Sequence, residues 1–166
     1  MENLFNIIVQ LKLFILFWCT ILSGLFGTNA SLGVDINLIF QVIMILILVF
    51  SIIFKSKKEF KIHGGLMGLA LILHILSFLI VMLPTFSGGF EFFTTNTANT
   101  GVQIIWIHAI TGLTVIIIGI FIVGTWLVHP KNIATCFRKK RYMDITTTFW
   151  FISLLFGIIT YMRFYG

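Results

Sequence analysis

The chain has 166 residues, 59% of them hydrophobic and only 10% charged, and a mean hydropathy of +1.11. An ordinary soluble domain carries about 25% charged residues, so the bilayer is the solvent, and the loops are too short to build a soluble core. The net charge of +6 comes from two loop clusters, which is an orientation signal and argues against nucleic acid as a partner.

The pattern predicts an all-α fold: a single transmembrane domain over 1–166, an integral membrane bundle of five transmembrane helices at about 4–27, 34–54, 62–83, 102–128 and 144–162. Leu4 to Gly27 is long enough to span, with Lys12 and Trp18 inside it. Thr28-Asn29-Ala30 has the small residue of a signal-peptide site, but no positive charge precedes Lys12, so a retained helix is expected. Asp35 and Asn37 open the second helix as cap-type residues, and Gln41 is its one strongly polar interior residue, expected to make an interhelical hydrogen bond.

Lys55, Lys57, Lys58 and Lys61 form a tight basic connection into the third helix, whose first turns carry Gly64, Gly65 and Gly68 and which Pro84 is expected to end. Thr85 to Gly101 reads as a long loop without Lys or Arg, with Phe86, Phe90, Phe92 and Phe93 clustered in it. It suits either a lid over a site or a segment lying in the headgroup belt. The fourth helix carries Trp106, His108, Gly112, Gly119 and Trp126 and closes at His129-Pro130. A second basic loop follows, with Lys131, Arg138, Lys139, Lys140 and Arg141, and then the last helix with Trp150. Trp106, Trp126 and Trp150 are expected to act as interface anchors, and Met67 and Met82 as packing. Cys19 and Cys136 show no metal spacing and read as inert thiols. The positive-inside rule puts both basic loops and the amino terminus in the cytoplasm and the carboxyl terminus outside an inner or cell membrane.

The histidines carry the chemistry. A neutral imidazole inside a membrane span requires a partner and marks a functional site. His63 and His74 lie eleven residues apart, within about 20° of one helical face and about 16 Å apart along it. His74 and His108 fall within about 8 Å in depth in the outer half, and His63 and His129 share the cytoplasmic boundary. All four are candidate cofactor-binding residues, with His74 and His108 the candidate metal pair. Imidazoles from neighbouring helices suit the axial positions of a b-type haem, or copper. The plain alternatives are a hydrogen bond to a carbonyl or hydroxyl for His74 and His108, with Ser77 and Thr111 three residues away, and solvated or lipid-facing rings for His63 and His129.

Four local patterns stand together: Asn37 leading into KSKKEFKIH, His63 with Met67 four residues on, IHAI around His108, and RYMDITTTFWFISLLFGIITY. Their order resembles a family of small prokaryotic integral membrane proteins of poorly defined biochemistry, often encoded beside cytochrome oxidase genes and implicated in oxidase maturation. The resemblance covers residues 35–161 and matches His63, Met67, His108, Trp150, Gly157 and Tyr161, with His129 a further candidate. The family's histidine near the outer end of the third helix is missing, and His74 has no clear counterpart. Intervals of eleven and twenty-one between histidines do not fit respiratory cytochrome b. The resemblance implies an accessory membrane protein of a larger multi-subunit redox complex, without catalytic activity of its own, assisting electron transfer or oxidase maturation. A structural subunit packed against an oxidase or monooxygenase is the alternative. A transporter is disfavoured by the lack of inverted repeats and broken spans.

Overall fold

The computed structural model describes residues 25–128 and 140–166. The expected first helix, with Lys12, Trp18 and Cys19, falls almost wholly outside the described residues, as do His129, Pro130 and Cys136.

The described chain is helical: α1 Leu32–Ser56, α2 Phe60–Gly88, α3 Phe90–Thr95, α4 Thr100–Val128 and α5 Lys140–Tyr165. Four of these, α1, α2, α4 and α5, are long and apolar enough to cross a membrane. Each starts a few residues before its expected start, and α1, α2 and α5 also run past their expected ends, while α4 ends where expected. The α1–α2 connection is tight because Lys58 takes the left-handed conformation (φ 65°). Glu59 N–H then bonds back to the Phe54 carbonyl and Lys58 N–H to that of Lys55, closing α1 in a Schellman motif.

The long helices form a ring in the order α1, α2, α4, α5 and back to α1. The α1–α2 and α4–α5 pairs pack most extensively, and the α1–α5 and α2–α4 seams are looser. The inward positions recur at alternating steps of three and four. In α1 they are Asn37, Gln41, Met44, Leu48 and Ser51; in α2, His63, Met67, Ala70, His74 and Ser77. In α4 they are His108, Gly112, Val115 and Gly119; in α5, Met143, Thr146, Trp150, Ser153 and Gly157. That is a heptad spacing, the pattern of helices packed at a shallow left-handed angle. In lipid, dispersion and interhelical hydrogen bonds must supply the association energy, which is why small and polar residues occupy the seam. Met44, Leu48, Met67, Ala70, Leu71, Val115, Trp150 and Leu154 make the apolar core. Trp150 is fully buried there, so it packs the bundle and does not anchor an interface as its type had suggested.

Pro84 does not end α2. The helix widens into a π-turn at Phe78–Met82, where Leu83 N–H reaches back to the Phe78 carbonyl, and continues to Gly88. Proline has no N–H to give the ladder, and a wide turn just before it absorbs the missing bond. The expected loop from Thr85 to Gly101 is accordingly mostly helical, comprising the end of α2 and then α3. Its Phe93 is buried, stacked on Phe86 (ring centroids 5.5 Å apart), while Trp106 packs edge-on against Phe86 and donates its indole N–H to the Phe93 carbonyl at 3.2 Å.

The bundle is tied at both ends. At the end bearing Lys55, Lys57, Lys58 and Lys140, Lys55 pairs with Asp144 across the α1–α5 seam. At the Phe-rich end the fully buried Asp35 accepts hydrogen bonds from the Tyr161 hydroxyl (2.6 Å) and from the backbone N–H groups of Leu25 and Phe26. Tyr161 also meets Thr28 Oγ1 at 3.0 Å. Three donors on one carboxylate make this burial tolerable.

Candidate functional site

Four polar residues enter the Phe-rich half of the bundle from four helices: Gln41 of α1, His74 of α2, His108 of α4 and Ser153 of α5. Two glycines make room for them. A Cβ on Gly112 would lie 3.1 Å from Ser153 Oγ and 3.4 Å from His74 Nε2. One on Gly157 would lie 2.5 Å from Gln41 Oε1 and 2.8 Å from His108 Cε1. The two imidazoles and the carboxamide therefore converge across bare backbone.

They face a cavity of about 390 Å³. Gln41, His74 and His108 lie beside Gly112 and Gly157 in its wall, and Asn37, Thr85, Trp106, Thr160, Tyr161 and Tyr165 contribute the other polar groups there. Phe78, Val81 and Met82 of the π-turn form one side, so the irregular turn lies directly on the cavity. The aromatic group of Phe86, Phe93 and Trp106 also lines it. Leu83, Ile110 and Leu113 of α2 and α4 are both lining and exposed, as are Phe164 of α5 and Thr85 of α2, so the mouth is rimmed mostly by apolar side chains.

The hydrogen bonds define how each ring is held. His108 Nδ1–H donates to the Ser153 carbonyl at 2.8 Å, which leaves the lone pair on Nε2. His108 thus has the carbonyl partner of the plain alternative, while the nearby Thr111 hydroxyl bonds back to its own helix at Ile107. The Ser77 hydroxyl, three residues from His74, donates to Asn37 instead. His74 Nδ1 is buried without a protein partner, as are Gln41 Oε1 and Trp150 Nε1. The His74 and Trp150 rings are adjacent, with centroids 5.6 Å apart. The interhelical hydrogen bond expected for Gln41 is thus not made by its carbonyl oxygen. Buried polar atoms are paired in the great majority of cases, so three such atoms in one region are a signal.

His63 stands apart at the basic end. It is buried, neither solvated nor lipid-facing, and its Nδ1 lies 3.0 Å from the Ser51 carbonyl and 2.7 Å from Ser51 Oγ. Its neighbour Gly64 is pressed against the Trp126 indole, which a Cβ would approach to 2.6 Å. The proposed partner His129 lies outside the described residues.

His74 and His108 therefore share one chamber, while its surroundings provide only part of a metal site. Among the described residues no three His, Cys, Asp or Glu side chains group around a metal position. A histidine ligand normally gives its second N–H to a carbonyl or carboxylate. His108 does so; His74 does not. Among the described residues lining the cavity there is also no Lys or Arg to receive the propionates of a haem. Neither a two-histidine haem nor a closed copper site is completed by these residues.

Sequence reasoning found both histidines and missed Ser153, whose contribution is a main-chain carbonyl and carries no residue-type signal. Gly157 was visible through the family resemblance, and its function as space for Gln41 and His108 only through packing. Comparison with protein-family models, curated proteins and solved structures finds no match to this chain.

Proposed function

We propose that this chain is a small accessory protein of a redox membrane complex, and that it serves by holding a redox-active ligand between His74 and His108. One observation carries the reading: two buried imidazoles and a carboxamide converge on one largely apolar cavity that opens along the α2–α4 seam. Two of the residues in its wall, His74 and Gln41, each carry a buried polar atom without a protein partner, which a site that is only packing has no use for. The positive-inside rule places the basic end, with Lys55, Lys57, Lys58, Lys61, Lys140 and Arg141, in the cytoplasm. The cavity then lies in the outer half of the membrane.

The described residues lining the cavity supply orientation and hydrogen bonds. Electron transfer or maturation chemistry belongs to the larger complex the chain accompanies. Haem b and copper remain the metal forms this reading admits, and an absorbance spectrum of the detergent-purified chain, oxidised and then dithionite-reduced, tests them alongside metal analysis and solvent extraction. A redox-active group near one per chain is the expected result. Protein that folds normally, carries no such group and supports its complex equally well with His74→Phe and His108→Phe would reduce the chain to a structural subunit.

A further inference from the structure

We infer that the cavity is a binding site for the ring of an isoprenoid quinone or quinol, entered sideways from the lipid. The inference rests on the reading that this cavity holds a redox ligand, and it names the class.

The polar atoms on the deep wall form a donor–acceptor pattern. His108 spends its Nδ1–H on the Ser153 carbonyl, so its Nε2 is an acceptor. His74 Nδ1 has no acceptor beside it, and its neighbour Trp150 has an indole nitrogen that can only donate. A buried N–H without an acceptor is rarer than a bare lone pair, so the proton of His74 belongs on Nε2, the nitrogen facing Gly112. Gln41 Oε1 is a second acceptor without a partner. All three side chains are more than nine-tenths buried. A quinone carbonyl takes the His74 Nε2–H, and a quinol hydroxyl gives its proton to His108 Nε2 or Gln41 Oε1. One ring oxygen can thus be held in either redox state.

The rest of the cavity suits the remainder of such a molecule. Phe78, Phe86, Phe93 and Trp106 supply aromatic walls for a flat ring. A neutral ring asks for no cation, and among the described residues no Lys or Arg lines the wall. The exposed rim residues Leu83, Ile110 and Leu113 are apolar, which suits an alkyl tail running out into the bilayer. A free polar metabolite would instead need a hydrated mouth, and a charged lipid headgroup would need a counter-charge.

The test is a titration of the purified full-length chain in detergent with decylubiquinone, following tryptophan fluorescence. Saturable quenching is expected, with affinity weakened about tenfold or more by His74→Phe and by Gln41→Leu, and unchanged by Asp144→Asn at the far end. The infrared carbonyl band of the bound quinone should lie below that of the quinone in detergent, and should return toward it in His74→Phe even where binding persists. Should a variant fail to fold by circular dichroism, the carbonyl band of the wild-type complex decides alone. Quenching that rises linearly with micellar quinone and is the same in every variant would overturn the inference. A stoichiometric b-type spectrum or bound copper together with no saturable quinone binding would also overturn it, while leaving the redox-ligand reading standing. The absence of quinone, haem and copper alike would remove both.

Discussion

The two ends of the bundle use the same device to different effect. At the basic end His63 directs Nδ1 to the main-chain carbonyl of Ser51 in the neighbouring helix; in the opposite half His108 directs Nδ1 to that of Ser153. Next to His63, whose Nε2 is also buried without a protein partner, the Trp126 indole lies directly on Gly64. Around His108, Gly112 and Gly157 leave space bordered by the Ser153, His74, Gln41 and His108 side chains, and a cavity of about 390 Å³ opens beside them. A histidine tied to a carbonyl is therefore not itself the mark of a site here. What distinguishes the second half is that its glycines are used for room and the first half's for contact.

That contrast can be broken by substitution. The largest effect is expected from Gly64→Ala: its Cβ would sit 2.6 Å from a rigid indole, and overpacking of this kind costs about 1–3 kcal/mol. Thermal unfolding in detergent measures it, with Gly124→Ala, where no atom lies within 4 Å of the added carbon, as the unaffected control. Gly157→Ala should cost somewhat less, because the nearest atom is the end of a Gln41 side chain that can turn away, though the His108 ring 2.8 Å from the added carbon must also shift, and it should remove ligand binding. Equal losses of stability at the two glycines would mean that the two halves are packed alike.

Ser51→Ala comes next. It deletes the hydroxyl 2.7 Å from His63 Nδ1 while leaving the carbonyl, for a loss of about 1 kcal/mol. Ser153→Ala removes a hydroxyl that is 3.5 Å from His108 Nδ1 and should fall within about 0.5 kcal/mol of wild type. The same unfolding assay compares the two directly. Smallest of all in the ligand-free protein is Gln41→Leu. It eliminates a buried oxygen that has no protein partner, a change that is neutral or stabilising when nothing is left unpaired. A Gln41→Leu chain that unfolds well before wild type without ligand would show that the carboxamide is structural, and the contrast between the halves would weaken.

Much of the architecture could be read from the residues. The four apolar stretches, the tight Lys-rich connection and the shared depth of His74 and His108 all follow from hydropathy and helical rise. The inward faces were harder, because lipid-facing and core-facing side chains are equally apolar and no amphipathic stripe separates them. With the structure in hand, the small and polar residues at 37, 41 and 51 of α1 and 63, 70, 74 and 77 of α2 trace the seam. Pro84 misled as a helix stop because a local rule about one missing N–H says nothing of a wider turn that accommodates it. Trp150 misled because indole suits both a headgroup belt and a core, and only burial separates the two.

The π-turn at Phe78–Met82 has a consequence for everything after it. A wide turn holds one residue more than the regular helix would over the same rise, so Phe86 is presented about a quarter of a revolution away from where an uninterrupted spiral would aim it. The aromatic group at the cavity mouth thus owes its bearing to a single surplus residue. Removing any one amino acid between Phe78 and Met82 would swing that group off its partners while leaving the span nearly its full length.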